Sequence, residues 1–517
     1  MPAQNAARTR RGRSAKRLQR QEAYDDVAQA VEPGLIAGRY KPLSAREMNH
    51  THAATLELLS TLGLSQATPT MIELVCARGG TLDDAGRLLF PKALVEEALA
   101  GFKRTITLYA RRSGMDLEIS GLKVHTSTGG GAPSILDLYA ATYRPTVTQD
   151  LYDCARVVDQ MEHIHAFSRP VVCTDAPDPL ALDVNTLYAC LAGTNKHVCM
   201  SVSDPENMET IAELCYLAAG GEEAFRARPF VTIMCTHVVP PMRFATESCE
   251  IAEHAIRQGF PVQYISAGQM GATSPVTLAG SLVQAVAETL GGMVGGWLVD
   301  PEASIIFAPK PLVSDLRTGA MCGGGGEQAV LMAAAAQMGR YYDLPTSSIA
   351  GYTDSKVHDA QAGYEKNLSV SLAAHAGCNI ITHSCGTLAS MLGCSLESFV
   401  IDNDMLGGML RSIRGVEVDA STVSIDVIAD VVKGEGHYLG HEQTLSRMES
   451  DYVYPHIADR RTPSEWQEDG AEDMLTRARA KAKEILATHQ PSYLPDDVDQ
   501  IFRERHTILV PRAADAS

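Results

Sequence analysis

The chain has 517 residues, 45% hydrophobic and 21% charged, which is the balance of a globular protein rather than a disordered or fibrous one. That length allows two or three domains, or one large barrel with an extension. A net charge of −18 argues against nonspecific nucleic-acid binding, because gripping a phosphate backbone takes a surplus of Lys and Arg.

The charge is uneven. Residues 1–20 carry seven basic side chains (Arg8, Arg10, Arg11, Arg13, Lys16, Arg17 and Arg20) and no acid, so the remainder stands at −25. A short basic run before an acidic body reads as a solvated arm. No apolar core follows it, which argues against a secretory signal. Ala45 to Gly63 and Pro91 to Leu99 show apolar residues at helical spacing and predict a small helical N-terminal region. Thr105 to Ala110 and Lys123 to Thr128 read as the strands of a hairpin-like element, ended by Gly129 to Pro133.

From about residue 150 a rhythm sets in. Apolar strand candidates run over 164–173, 196–203, 230–239, 261–267, 304–308, 347–352 and 379–384. Helical patterns over 182–192, 206–219, 244–258, 275–293, 327–341 and 359–376 separate them, and 395–413 follows the last. Strands alternating with helices predict parallel βαβ units. Seven strands are visible, and the eighth that a closed barrel needs is sought in the preceding strand region; an open doubly wound sheet is the competing architecture. The longest apolar run, Gly280 to Val299, contains Gln284 and Glu288 and reads as a buried helix. Helices are expected again over 421–433 and 463–489, with a trailing arm after them. Twelve cysteines without CxxC spacing read as free, mostly buried thiols, which points to a reducing compartment and a soluble cytoplasmic protein.

In parallel α/β proteins ligands sit at the C-terminal ends of the strands. Two such loops stand out. Ser314 to Gln328 carries four glycines, Gly323, Gly324, Gly325 and Gly326, leading into a helix whose free N–H groups suit an anion, with Arg317 to assist; without a Lys-Ser/Thr ending it is not a P-loop. Ser347 to Lys366 crowds Tyr352, Asp354, Lys356, Asp359, Gln361 and Glu365 around the start of a helix, and the next strand brings His383 alongside. Asp359 reads as an N-cap. His163 and His165 precede the apolar part of their strand and read as structural; His437 and His441 do not form HExxH, and no GxSxG elbow occurs.

The segments TDSKVHDAQAGYEK, LESFVIDNDMLG, SDLRTGAMCGGGGEQ, ISAGQMGATSPVTLAG and GHYLGHEQT together resemble the trimethylamine methyltransferase family over most of the chain from about residue 40. The resemblance implies an α/β fold, a (β/α)8 TIM-type barrel, here with a helical N-terminal region and a C-terminal helical extension. The expected layout is a basic disordered arm over 1–39, a helical and hairpin region over 40–149, the barrel body over 150–420 and the extension over 421–517. It further implies methyl transfer from a methylated amine to the Co(I) of a separate corrinoid (cobalamin) protein that feeds one-carbon metabolism, in some members toward methanogenesis. No tightly bound cofactor, metal, nucleic-acid or membrane partner is implied, and a homo-oligomer is allowed. The chain carries no pyrrolysine, so it is similar to the glycine betaine branch, which demethylates quaternary amines. A quaternary ammonium carries its own leaving group, so the protein need only bind, orient and desolvate, and no side chain is assigned as nucleophile. A cation suits aromatic faces and carboxylates, here Tyr352, Tyr364 and Glu365. His383 matches a position that contacts the substrate carboxylate in the betaine branch, whereas Thr346, Ser347 and Ser348 stand where that branch has an Arg. The expected pocket is lined by Tyr352, Asp354, Lys356, Gln361, Tyr364, Glu365 and His383, with Arg317 and Gly323 to Gly326 facing the corrinoid protein. A metal-dependent hydrolase barrel and a non-catalytic barrel that binds a quaternary amine are the alternatives.

Overall fold

The computed structural model describes residues 31–512; the basic run over 1–20 lies outside the described residues. Eight short parallel strands set the architecture: β1 (Lys123–Thr126), β2 (Phe167–Ser168), β3 (Val198–Met200), β4 (Val231–Cys235), β5 (Val262–Ser266), β6 (Ile305–Pro309), β7 (Ser347–Ile349) and β8 (Ile380–Thr382). A helix follows each: α1 (Thr148–Asp159), α2 (Pro179–Gly193), α3 (Asn207–Ala219), α4 (Thr246–Arg257), α5 (Leu278–Val299), α6 (Gly326–Tyr341), α7 (Ala360–His375) and α8 (Leu396–Arg414). Strands β2 to β6 form one parallel ladder in chain order, and β7, β8 and β1 form a second. Single parallel bridges join the two at both edges, Ser127 to Ala166 and Phe307 to Thr346.

The seven strands and seven helices read from the 150–413 rhythm all recur, six of the strands shorter than their apolar runs and Ile305–Pro309 shifted by one residue. Three readings are corrected. Lys123–Thr126 does not pair with Thr105–Leu108 as a hairpin. Thr105–Leu108 pairs with Leu117–Ser120 instead, and Lys123–Thr126 joins the parallel ladder through Ile380 opposite His125. The segment after His489 is not only a trailing arm, since Asp496–Arg505 is helical. The helical stretch expected over 463–489 is two helices, Pro463–Glu468 and Met474–Thr488, parted at Gly470 and Ala471, both with positive φ. Helix α1 and the short helix Pro69–Ala77 were not anticipated.

The Thr105–Ser120 hairpin covers the N-terminal ends of the strands. Its Ile106, Leu108, Leu117 and Ile119 pack on Ala166, Ile306 and Ile380 in a buried cluster separate from the main core. Helix α5 meets the length and composition of a membrane span, yet most of it is buried. Its glycines let it lie close to the strands: a Cβ at Gly292 would stand 2.2 Å from His237 and one at Gly296 2.4 Å from Tyr264. Glu288 on α5 is fully buried and saturated, accepting from the Ser266 hydroxyl, the Met242 N–H (2.7 Å) and Gln284 Nε2 (3.0 Å). Buried polar groups survive when they are bonded in this way.

Candidate active site

Three loops at the C-terminal ends of β6, β7 and β8 knit together. Asp354, just after β7, is the knot. One carboxylate oxygen accepts from the Gly323 N–H (2.7 Å) and the Ser390 hydroxyl (2.7 Å), the other from Cys322 Sγ (2.9 Å) and the Gly324 N–H (3.3 Å). Burial pushes this carboxyl up, but those hydrogen bonds outweigh it and hold it below the usual carboxylate range. Cys322 moves the other way, pushed up to about 12 by burial and by the Asp354 charge. Opposite Asp354, residues Ala389, Ser390 and Met391 all adopt left-handed backbone, a strained run fixed by the Ala389 and Ser390 N–H groups donating to Ser355 and Thr353 carbonyls.

Glu365, on the second turn of α7, ties the same loop from below. It is buried, and its carboxylate accepts from the Thr353 hydroxyl, the Asp354 N–H (2.9 Å) and Gln361 Nε2 (2.9 Å). Tyr352 is fully buried with its ring edge-on to His383, centroids 6.3 Å apart, and its hydroxyl has no partner. Burial pushes that phenol far up, so it stays protonated. The glycine loop lies flat on these groups. A Cβ at Gly323 would stand 1.8 Å from the Tyr352 ring, and one at Gly324 2.0 Å from the Glu365 carboxyl carbon. We expect Gly323→Ala to displace Tyr352 and to cost about 100-fold in turnover, the usual consequence of ångström-scale misplacement. Gly363→Ala, on the exposed face of α7 with nothing within 4 Å, is the matched control and should leave the rate unchanged.

Tyr352, Asp354, Gln361, Glu365, His383, Gly323 and Gly324 are therefore brought together. Three other side chains read from the sequence stand apart. Lys356 is exposed and donates only to the Asp354 carbonyl (2.6 Å). Tyr364 is 63% exposed on α7, one residue round from Glu365, and Arg317 points into solvent and pairs with Asp315 (2.8 Å). The N–H groups of Gly323 and Gly324, read as an anion cradle, are taken by Asp354; the anion they hold is the chain's own. Gly325 and Gly326 lie outermost, and nothing stands within 4 Å of a Cβ at Gly326. Asp359 caps α7 as expected, accepting from the Ala362 N–H (3.0 Å). His165 accepts from the Thr126 N–H (3.2 Å) and meets His125 edge-on, while the His163 N–H donates to Asn403 (2.9 Å).

Two functional candidates were missed. Lys310 follows β6 and is buried, donating to Gln263 Oε1 (3.3 Å) and Thr382 Oγ1 (3.1 Å) with no carboxylate beside it; burial pushes it down to about 8. Period-two spacing carries the signal, since Ile306, Ala308 and Lys310 share one face. Arg169, just after β2, has a buried Nε without a partner and packs on Gly131 beside the His383 loop.

Polar and aromatic side chains gathered at the C-terminal ends of parallel strands in an α/β protein define an enzyme of the strand-end-site class. The family profile described as trimethylamine methyltransferase (MTTB) matches residues 9–506. The chain belongs to this family. A trimethylamine methyltransferase MttB of Desulfitobacterium hafniense is 29% identical over 463 residues, covering 89% of this chain and 92% of that protein. A glycine betaine methyltransferase of the same species is 27% identical over 467 residues, covering 90% and 96%. Among solved structures, the Methanosarcina barkeri monomethylamine methyltransferase (MtmB) matches with a TM-score of 0.48 at 11% identity, over 85% of this chain and 87% of that one.

Proposed function

We propose that this methyltransferase takes a methyl group from a small methylated amine, preferentially a quaternary one, and passes it to the Co(I) of a separate corrinoid protein in the cytoplasm. The observation that carries the reading is the junction of Gly323, Tyr352, Asp354, Glu365 and His383 at one end of the parallel strands of a trimethylamine methyltransferase family member. We read the eight strands as one closed (β/α)8 barrel, a reading supported by the bridges at Ser127 and Phe307, with residues 40–149 before it and a helical extension after 421. Lys123–Thr126 then supplies the first barrel strand from the 40–149 region.

The corrinoid is the acceptor substrate and arrives on its own protein; Co(I) supplies the nucleophile. The chain's own residues bind and orient the amine. Tyr352, buried beneath the glycine loop, fixes the wall of the site, and Asp354 and Glu365 supply negative charge that attracts a cation. Gly325 and Gly326 leave the outer rim free of bulky side chains, which suits the approach of a flat macrocycle. A panel of methylated amines offered with a Co(I) corrinoid protein tests the reading. A spectrum of methyl-Co(III) with at least one amine is expected; binding without any methyl-Co(III) across the panel would overturn it.

A further inference from the structure

We propose that Thr382 acts as a positioning residue that holds His383 as the Nδ1–H tautomer, leaving Nε2 as a bare hydrogen-bond acceptor, while Lys310 braces the Thr382 hydroxyl from the other side. The inference rests on the reading that His383 belongs to the substrate site. The argument is one of counting donors. Thr382 Oγ1 has three polar neighbours: the Ser348 carbonyl (2.7 Å), Lys310 Nζ (3.1 Å) and His383 Nδ1 (3.2 Å). The carbonyl can only accept, so it takes the one hydroxyl proton. An ammonium can only donate, so it fills one lone pair. The remaining lone pair faces Nδ1, which must therefore carry a proton.

Nε2 is then unprotonated. It bonds to no described residue, and it is not among the side-chain atoms sealed from solvent without a partner, a set that does include the Tyr352 hydroxyl. His383 sits in left-handed backbone (φ 65°), with Gly129 and Gly130 against its ring. The charged or titratable groups around it are few. Lys310 reaches it through Thr382, Tyr352 meets it edge-on, and Arg169 packs one residue further along the glycine loop, on Gly131. None is a carboxylate that would stabilise an imidazolium. Burial and then the Lys310 charge push the ring down to about 3, in agreement with the geometry.

The consequence is a rule of selection. A bare Nε2 welcomes an N–H or the polarised C–H of a methylammonium, and it sets lone pair against lone pair when a carboxylate approaches. In this chain His383 therefore reads the cationic head of the amine, and a carboxylate tail, where the substrate has one, lies elsewhere.

The test is ring-nitrogen NMR of the full chain labelled with 15N-histidine, with His383→Gln to assign the signal. At pH 7.5 the expected pattern is one protonated Nδ1 and one pyridine-type Nε2. Thr382→Val removes the acceptor and is expected to move the ring to the Nε2–H form. Lys310→Met keeps the tautomer and is expected to raise the titration midpoint of His383, while Lys310→Arg restores the low midpoint. An Nε2–H or imidazolium ring in the unaltered protein, or a Thr382→Val spectrum identical to it, overturns the proposal. If Lys310→Met does not fold, the unaltered protein and Thr382→Val still decide the tautomer. Because the readout is a spectrum and not turnover, a methylamine panel without methyl transfer would sink the proposed function and leave this result standing.

Discussion

Lowering the pH from 7 to 4 is expected to unfold the protein, with the loss beginning near pH 6.5. His125, His197 and His237 are 2%, 0% and 0% exposed, and burial pushes each from 6.5 down to about 4. In the unfolded chain each takes up a proton near its ordinary value of about 6.5, while the folded protein refuses it until about pH 4. A depressed folded value means the stabilisation is complete above pH 6.5 and disappears as the pH falls toward 4. Each histidine is worth about 3 kcal/mol at the lower limit, and the three together on the order of 10 kcal/mol. That sum is comparable to the whole stability of a typical fold, roughly 5–15 kcal/mol. Each ring is hydrogen-bonded to neutral groups alone: His125 to the Glu118 carbonyl, His237 to the Glu288 carbonyl, and His197 on both nitrogens, to the Tyr109 carbonyl and the Thr232 hydroxyl. No carboxylate hydrogen-bonds to any of the three, and burial outweighs the more distant pull of Glu118 on His125 and of Asp116 on His197. Thermal melts followed by circular dichroism at half-unit pH steps give the answer, and a melting temperature that holds level from pH 7 to pH 4 contradicts it.

The second large effect concerns the pair Lys366 and Asp402. The two side chains are 3% and 4% exposed and meet at 2.7 Å, joining α7 to α8. The same Asp402 oxygen accepts from the Gly386 N–H (2.8 Å), so the pair also anchors the loop that carries His383. Either Asp402→Asn or Lys366→Met leaves a lone charge or its partner's lone pairs in the interior, and a loss of about 3–5 kcal/mol is expected. Replacing both at once, Lys366→Met with Asp402→Leu, removes the charges together and should recover most of that loss. Urea unfolding of the two single variants and the double one forms the cycle. Equal losses in single and double variants would show that the pair is not what holds this contact. Activity adds a second reading, since freeing Gly386 should lower turnover in the double variant even where stability returns.

How far the sequence reached depended on which side of the sheet a residue faces. The helices and outer strand faces follow ordinary apolar periodicity, so the alternation from residue 150 onward was legible. The cluster of Tyr352, Asp354, Gln361 and Glu365 was legible too, because strand-end loops are short and keep neighbours in sequence near one another in space. Lys123–Thr126 misled because its neighbours His125, Thr126, Ser127 and Thr128 are all buried in a polar interior, and a polar strand looks like an exposed hairpin edge. Ser390 and Lys366 bond to partners more than thirty residues away, and no local pattern announces such pairs. Lys356, Tyr364 and Arg317 have the right chemistry for the site, but helix phase and loop geometry turn them outward.

The single bridges at Ser127 and Phe307 also mark the thinnest seams between strands. Every other strand boundary is held by a ladder of at least two paired residues, so these two lines carry the least backbone pairing in the strand arrangement. One of them runs between β6 and β7. Lys310 and the glycine loop ride on one side of it, and Tyr352, Thr382 and His383 ride on the other. The Lys310–Thr382 contact (3.1 Å) spans that line, so the group that braces the Thr382 hydroxyl beside His383 comes from the far side of the thinnest seam.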